Sequence, residues 1–324
     1  MRVYLCDKSA CEFWRSGFIE DVSVLKRTRA SALVHCARSA EVIRSIDTSW
    51  LPVGETVHIL VPDASCRCVR SPFAFHVFSG KLPRNAFLAI SDQVFMASPE
   101  FCFVQAAANL TLPRLIEFGD ELCGVYSMRP NGEEGFFTRS KPLTTVAQLQ
   151  RFVDVMPRVP GLAIARRALR FIVDGSASPA ETKLEMFTSL PRLLGGGAFE
   201  QPAMNYELRL PPKAANMAKK RMYRCDLAWP DRNVAVEYNS MRYHTSNAQV
   251  TADDIRKNIL EYCGMHVIVA KPYHLYDYRG FADFETQLAK ALGVRLRPLT
   301  ARQREARVQL RKELLQRDED FGLA

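Results

Sequence analysis

Asp226 and Glu237 each interrupt a short stretch that otherwise reads as a strand, "RCDLAWP" and "NVAVEYN", and Asn239 follows Glu237 by two positions. Side chains alternate between the two faces of a strand. Cys225, Leu227 and Trp229 would therefore share one face, with Arg224, Asp226 and Ala228 on the other. In the second stretch Val234, Val236 and Tyr238 share a face, with Ala235, Glu237 and Asn239 opposite. "PDRN" between them supplies a turn. Antiparallel pairing would bring the two acids together on one face of a sheet. Two neighbouring ionised carboxylates repel, and desolvation deepens the cost. A divalent cation relieves both effects. Mg²⁺ takes one or two carboxylates, keeps several waters and completes its shell with phosphate oxygens. The same ion polarises a phosphoryl oxygen and acidifies an attacking water, which is the chemistry of phosphodiester hydrolysis. The structural alternative pairs Asp226 with Arg224 at a sheet edge and leaves Glu237 facing solvent.

The elements around these acids alternate between strand and helix. "HVIVAKP" reads as a further strand. "TADDIRKNILEYCG" before it reads as a helix with Ile255, Ile259 and Cys263 on one face and Gly264 as its stop. Residues 1–127 read as a separate α/β domain. Within it, Ser9 and Glu12 suggest a capping box, "TVHILVP" and "QVFMAS" suggest strands, and "SPEFCFVQAAANL" suggests a helix with Ser98 at the N-cap and Pro99 at N1. Residues 128–174 hold a Pro- and Gly-rich loop and two helices, expected as a linker. The acidic strands fall in a domain over 175–294, and 295–324 read as a charged helix, a surface or partner element.

The arrangement of Asp226, ten intervening residues, Glu237 and a polar residue at 239 resembles the PD-(D/E)XK nuclease superfamily, and most closely its very-short-patch-repair-like branch. Three segments carry the likeness: "SPAETKLEMFTSL", "YRCDLAWPDRNVAVEYNS" and "DDIRKNILEYCGMHVIV", the last matching at Asp253, Arg256, Leu260, Gly264 and Val267. The likeness spans residues 175 to 275. It implies a restriction-endonuclease-like α/β domain, a mixed sheet flanked by helices. A fainter likeness links "HVFSGKLPRN" and "VFMASPEFCFVQAA" to AbiEi-type abortive-infection regulators.

Carried over by position, the resemblance makes Asp226 and Glu237 ligands of Mg²⁺ or Mn²⁺, with Glu181 as a third, direct or through water. Glu181 has a second reading, because Ser178 and Glu181 form a capping box that needs no catalysis. Asn239 stands where the superfamily carries Lys. It can hydrogen-bond water or offer its carbonyl to a metal, but it brings no positive charge. His244 reads as a proton relay or phosphate contact, or as a loop histidine bonded to backbone. Arg256 reads as an organiser of Glu237 or as an intrahelical partner of Asp253.

The chain carries 44 Lys and Arg against 35 Asp and Glu, a net charge of +9 that favours a polyanionic partner. Lys219, Lys220, Arg221 and Arg224 precede Asp226, and with Arg256 and Lys257 they make the candidate DNA contacts. A solvated charged loop is the alternative for that run. The nine cysteines include no C-x-x-C pair, which fits reduced thiols; Cys66 and Cys68 form a lone C-x-C. No apolar run reaches the roughly 20 residues of a membrane span, and no secretory signal is visible, so a cytoplasmic location is expected. The expectation is a Mg²⁺-dependent endonuclease acting on DNA, set in bacterial defence or repair by the resemblance alone, with a protein partner at the N-terminal domain or C-terminal helix. The rival is a nuclease-fold DNA-binding regulator without catalysis.

Overall fold

A computed structural model describes residues 1–29, 31–37, 39–66, 72–129, 135–240 and 247–315. The chain divides into two compact units at Asp174 and Gly175.

The first unit is built on a six-stranded mixed sheet. Its elements are β1 (Val3–Leu5), α1 (Asp7–Arg15), β2 (Lys26–Arg27), α2 (Ala40–Arg44), β3 (Val57–Val61), β4 (Phe73–Val77), β5 (Phe87–Ala89), β6 (Val94–Ala97), α3 (Pro99–Ala106) and α4 (Leu112–Cys123). The strand order is β2-β5-β6-β1-β3-β4, with β1 parallel to β6 and β3 parallel to β4. β1, β3 and β6 are almost wholly apolar and buried, as strands covered on both faces must be. The Ser98 hydroxyl accepts the Phe101 N–H and Pro99 sits at N1, so α3 starts where its sequence signals a start. α1 does not. It begins at Asp7, and Ser9, expected as a cap, lies inside it. The Ser9 hydroxyl instead accepts the His58 N–H at 2.9 Å, and Glu12 accepts the Gly54 N–H at 2.7 Å. Tertiary partners take both side chains away from the helix end.

Residues expected as a linker belong to this unit. The hairpin β7 (Tyr126–Met128) and β8 (Phe136–Thr138) and the helices α5 (Val146–Val155) and α6 (Leu162–Ala168) complete it. Arg139 is buried, and its guanidinium donates to Ser127 and to the Trp14 carbonyl. Thr144 donates to Glu100 at 2.8 Å, and the Val173 N–H donates to Asp120 at 2.8 Å. Such buried polar pairs are costly to break, and they fix the segment in place.

The second unit holds the candidate site. It comprises α7 (Pro179–Ser189), β9 (Ala203–Arg209), α8 (Pro212–Ala218), β10 (Met222–Trp229), β11 (Val234–Tyr238), α9 (Asn247–Tyr262), β12 (His266–Ala270), α10 (Pro272–Tyr276), α11 (Tyr278–Leu292) and α12 (Ala301–Leu315). The sheet order is β12-β11-β10-β9; β12 runs parallel to β11 and the other pairs are antiparallel. Asn233, with φ 53°, closes the expected turn between β10 and β11. α9 crosses between the parallel strands and packs through Ile259 and Leu260. Ile255, expected on that apolar face, is exposed, and Cys263 only half-buried.

The charged tail helix is part of the same unit. Arg307, Leu310, Arg311 and Leu314 are buried, and Arg307 forms a bidentate pair with Glu285 at 2.7 and 2.8 Å. Arg311 stacks over the rings of Phe187 and Phe281. The Arg–aromatic stacking explains how one face of a helix so rich in charge can be buried. Among the described residues, no helix is long and apolar enough to cross a membrane.

Candidate active site

β10 and β11 pair Leu227 with Val236 and Ala228 with Ala235. One step further, the same register sets Asp226 across from Glu237. The expected alternation does not hold through this point. Cys225 and Ala228, three positions apart, belong to one buried cluster with Ala235, Leu260, Met265 and Val267. β9 is irregular directly opposite Asp226. Asn205 has φ 47° and lies between the pairs Tyr206–Cys225 and Met204–Leu227. Asn is among the few non-glycine residues that adopt this conformation readily. The carboxylate of Asp226 takes the Tyr238 N–H at 2.7 Å, a backbone donor of the neighbouring strand.

Glu181 reaches the site from the first turn of α7, and it forms the capping box that one of its two sequence readings asked for. Its backbone N–H donates to the Ser178 hydroxyl. Its carboxylate accepts from Ser178 Oγ at 2.8 Å, the Ala177 N–H at 3.0 Å and Asn205 Nδ2 at 2.7 Å. The cap is therefore real, and the same buried carboxylate lies in the field of Asp226. Burial first, and then Asp226, push the Glu181 carboxyl up to about 7.

Glu237 lies on the α9 side. Arg256 Nη2 is 2.6 Å from its Oε2 and also donates to the Arg224 carbonyl. Burial first and Asp226 second raise the Glu237 carboxyl to about 8, outweighing the guanidinium. Burial also raises Asp226, with the Tyr238 N–H and Arg256 opposing it. Glu237 Oε1 is buried with no hydrogen-bond partner among the described residues. The Cys225 thiol faces this carboxylate and is pushed up to about 12, by burial first and then by Glu237.

Glu181 and Glu237 thus each neighbour Asp226, but the three acids do not meet at a point. Among the described residues, a trio of ligand atoms all within 4.8 Å of one another occurs at Asp7, His58 and His76, not at Glu181, Asp226 and Glu237. The donors nevertheless fit a hard cation: they are carboxylate oxygens, crowded, partly desolvated and served by one guanidinium, with one oxygen left unpartnered.

The remaining predicted residues separate. Asn239 is half-buried at the end of β11, its N–H bonded to the Ala270 carbonyl. His244 lies outside the described residues, as do Cys68 and the side chain of Asp253. Arg224 pairs with Glu207 at 2.8 Å, so the alternative pairing with Asp226 is not formed. Lys257 pairs with Glu261 at 3.8 Å. Lys219, Lys220 and Arg221 are exposed, with Lys220 Nζ 5.7 Å from the Tyr223 ring.

Two site neighbours escaped sequence reasoning. Asn205 was a polar residue in a strand, and nothing local announced its left-handed backbone. Glu185, four positions after Glu181 and so on the same helix face, is fully buried and raised to about 8, with burial as the main cause. Compared with protein-family models, curated proteins and solved structures, the chain matches none.

Proposed function

We propose that this protein is a metal-dependent endonuclease that hydrolyses DNA phosphodiester bonds in the cytoplasm. The observation that carries the reading is the gathering of acids around Asp226: burial first and Asp226 second raise both Glu181 and Glu237, with Arg256 as the nearby counter-charge. The mixed four-stranded sheet with flanking helices agrees with the restriction-endonuclease-like architecture that the resemblance implies. Asp226 and Glu237 would hold Mg²⁺ or Mn²⁺, and Glu181 would assist. When bound, the ion would supply Lewis-acid stabilisation of the phosphoryl group and a more acidic water. Asn239, in the place of the superfamily Lys, would orient that water by hydrogen bonding. Glu181, whose carboxyl burial and then Asp226 raise in the ion-free chain, would give up its proton when it assists in holding the ion. The exposed Lys219, Lys220 and Arg221 would track the phosphate backbone next to it.

One observation favours the second reading, a DNA-binding regulator without catalysis. Arg256 already pairs with Glu237 at 2.6 Å, and the three acids do not present a closed ligand set. The test is incubation of the chain with single- and double-stranded DNA and either metal, wild type against Asp226→Asn. The endonuclease reading expects cleavage that falls about a hundredfold or more in the variant. Intact DNA with both metals, together with retardation on a gel, would replace it by the regulator.

A further inference from the structure

The first unit carries a cluster of different chemistry. His58 lies on β3 and His76 on the edge strand β4. The register pairs His58 with Ala74 and Leu60 with His76, so both imidazoles project from the same face of the sheet, two positions apart. Their rings are stacked, with centroids 5.1 Å apart and planes at 21°. His58 Nδ1 is 2.9 Å from His76 Nε2. Asp7, the first residue of α1, brings Oδ2 to 3.5 Å from His76 Nδ1. Its backbone is left-handed, with φ 48°, and its N–H is held by Gln105 Oε1 at 3.1 Å.

We propose that Asp7, His58 and His76 form a binding site for a borderline first-row divalent cation such as Zn²⁺. One ligand atom from each residue lies within 4.8 Å of the others. Tetrahedral Zn²⁺ with bonds of about 2.0–2.1 Å sets its ligand atoms about 3.3 Å apart. Closing the cluster on an ion therefore requires the three side chains to draw together from within 4.8 Å. Two nitrogens and one carboxylate suit Zn²⁺ far better than Mg²⁺, which takes oxygen ligands. Three protein ligands leave a fourth position, and the partly exposed His76 and Asp7 side chains, 34% and 16%, open it to solvent. The nearby Glu12 is occupied by the Gly54 N–H, which leaves the trio as the ligand set. Each histidine also interrupts an apolar strand, "VHILV" and "FAFHV".

The competing arrangement is an ion-free hydrogen-bonded chain from Asp7 through His76 to His58, and the experiment separates the two. The full chain is titrated with Co²⁺, followed by its visible absorption, and with Zn²⁺, followed by calorimetry and melting temperature. One ion at this cluster, additional to any held at Asp226 and Glu237, is expected, with no thiolate-to-metal band. His58→Gln and His76→Gln should each weaken binding about tenfold or more and abolish the Zn²⁺-dependent rise in melting temperature. Asp226→Asn, which removes a ligand of the ion proposed for the second unit, should leave the ion at Asp7, His58 and His76 in place. Circular dichroism in chelator verifies that each variant is folded, and Asp7→Asn serves if a histidine variant is not. Equal binding by wild type and the cluster variants, no binding by wild type, or a thiolate band that survives the histidine changes would overturn the proposal.

Discussion

Arg256 Nη2 stands 2.6 Å from Glu237 Oε2, yet the Glu237 carboxyl is raised rather than lowered, because burial and Asp226 outweigh the guanidinium. The arginine is therefore a partial counter-charge, and a cation would compete with it for the same oxygen. Arg256→Ala should lower stability in chelator by about 1–2 kcal/mol, less than for a fully buried pair because Arg256 is partly exposed. Mn²⁺ should raise the melting temperature of the variant more than that of the wild type. An equal rise in both proteins would show that the ion does not bind at Glu237.

The pH dependence has a definite sign. Glu181 and Glu237 are raised to about 7 and 8 in the folded chain. Their unfolded values are about 4.3, so between these limits the folded state binds more protons. Their stabilising contribution is complete below about pH 4 and is lost as pH rises through about 7 to 8, by at most about 1.4 kcal/mol per pH unit for each proton. In chelator the melting temperature should fall over that window. Asp226→Asn should flatten the slope, although Glu185, also raised, will keep part of it. A slope that rises towards pH 8 would contradict the account.

Asn205 has two roles that substitution can separate. Asn205→Gly keeps the left-handed backbone and loses the bond to Glu181, whereas Asn205→Ala loses both. The alanine variant should be less stable than the glycine variant by about 1 kcal/mol in chemical denaturation. Both should shift the pH profile of any DNA cleavage, since the bond from Asn205 lowers the Glu181 carboxyl. Identical stability of the two would mean that the backbone conformation carries no cost.

Lys219, Lys220 and Arg221 are exposed and precede the Asp226 strand. Replacing all three by Ala should weaken DNA binding across sequences. The salt slope should fall by about 0.9 for each phosphate that the protein no longer neutralises. Titrations at several salt concentrations check this. An unchanged slope would make the run a solvated loop.

Arg307→Ala should cost about 3–5 kcal/mol, because it strands the buried Glu285 carboxylate. Urea unfolding measures this directly. A cost below about 1 kcal/mol would mean that Glu285 finds water instead.

Much of the secondary structure could be read from the chain because local signals and tertiary packing agree there. Ser98 and Pro99 start α3, Asn233 closes the β10–β11 turn, and Gly264, with φ 84°, stops α9. Period-2 reasoning failed at Asp226, which lies opposite the left-handed Asn205 of a neighbouring strand, a non-local juxtaposition. The Ser9–Glu12 pattern failed for the same reason, as both side chains found partners about forty to fifty positions away. The burial of Arg307 and Arg311 depends on Glu285, Phe187 and Phe281, which a linear charge pattern does not join to them. Of the candidate site, Asp226 and Glu237 were visible as acids out of place on strands, and Glu181 through the resemblance and its capping-box pattern. Their separation and the grip of Arg256 needed coordinates.

Glu181 ties the start of α7 to the carboxylate neighbourhood through one set of atoms. Any residue change there unravels a helix end and alters the local charge in a single stroke. A mutational scan scored by lost activity would therefore overstate its chemical role. Glu181→Gln, isosteric and able to keep part of the cap, is the informative replacement, and Ser178→Ala supplies the matching control in which the turn is weakened while the acid survives.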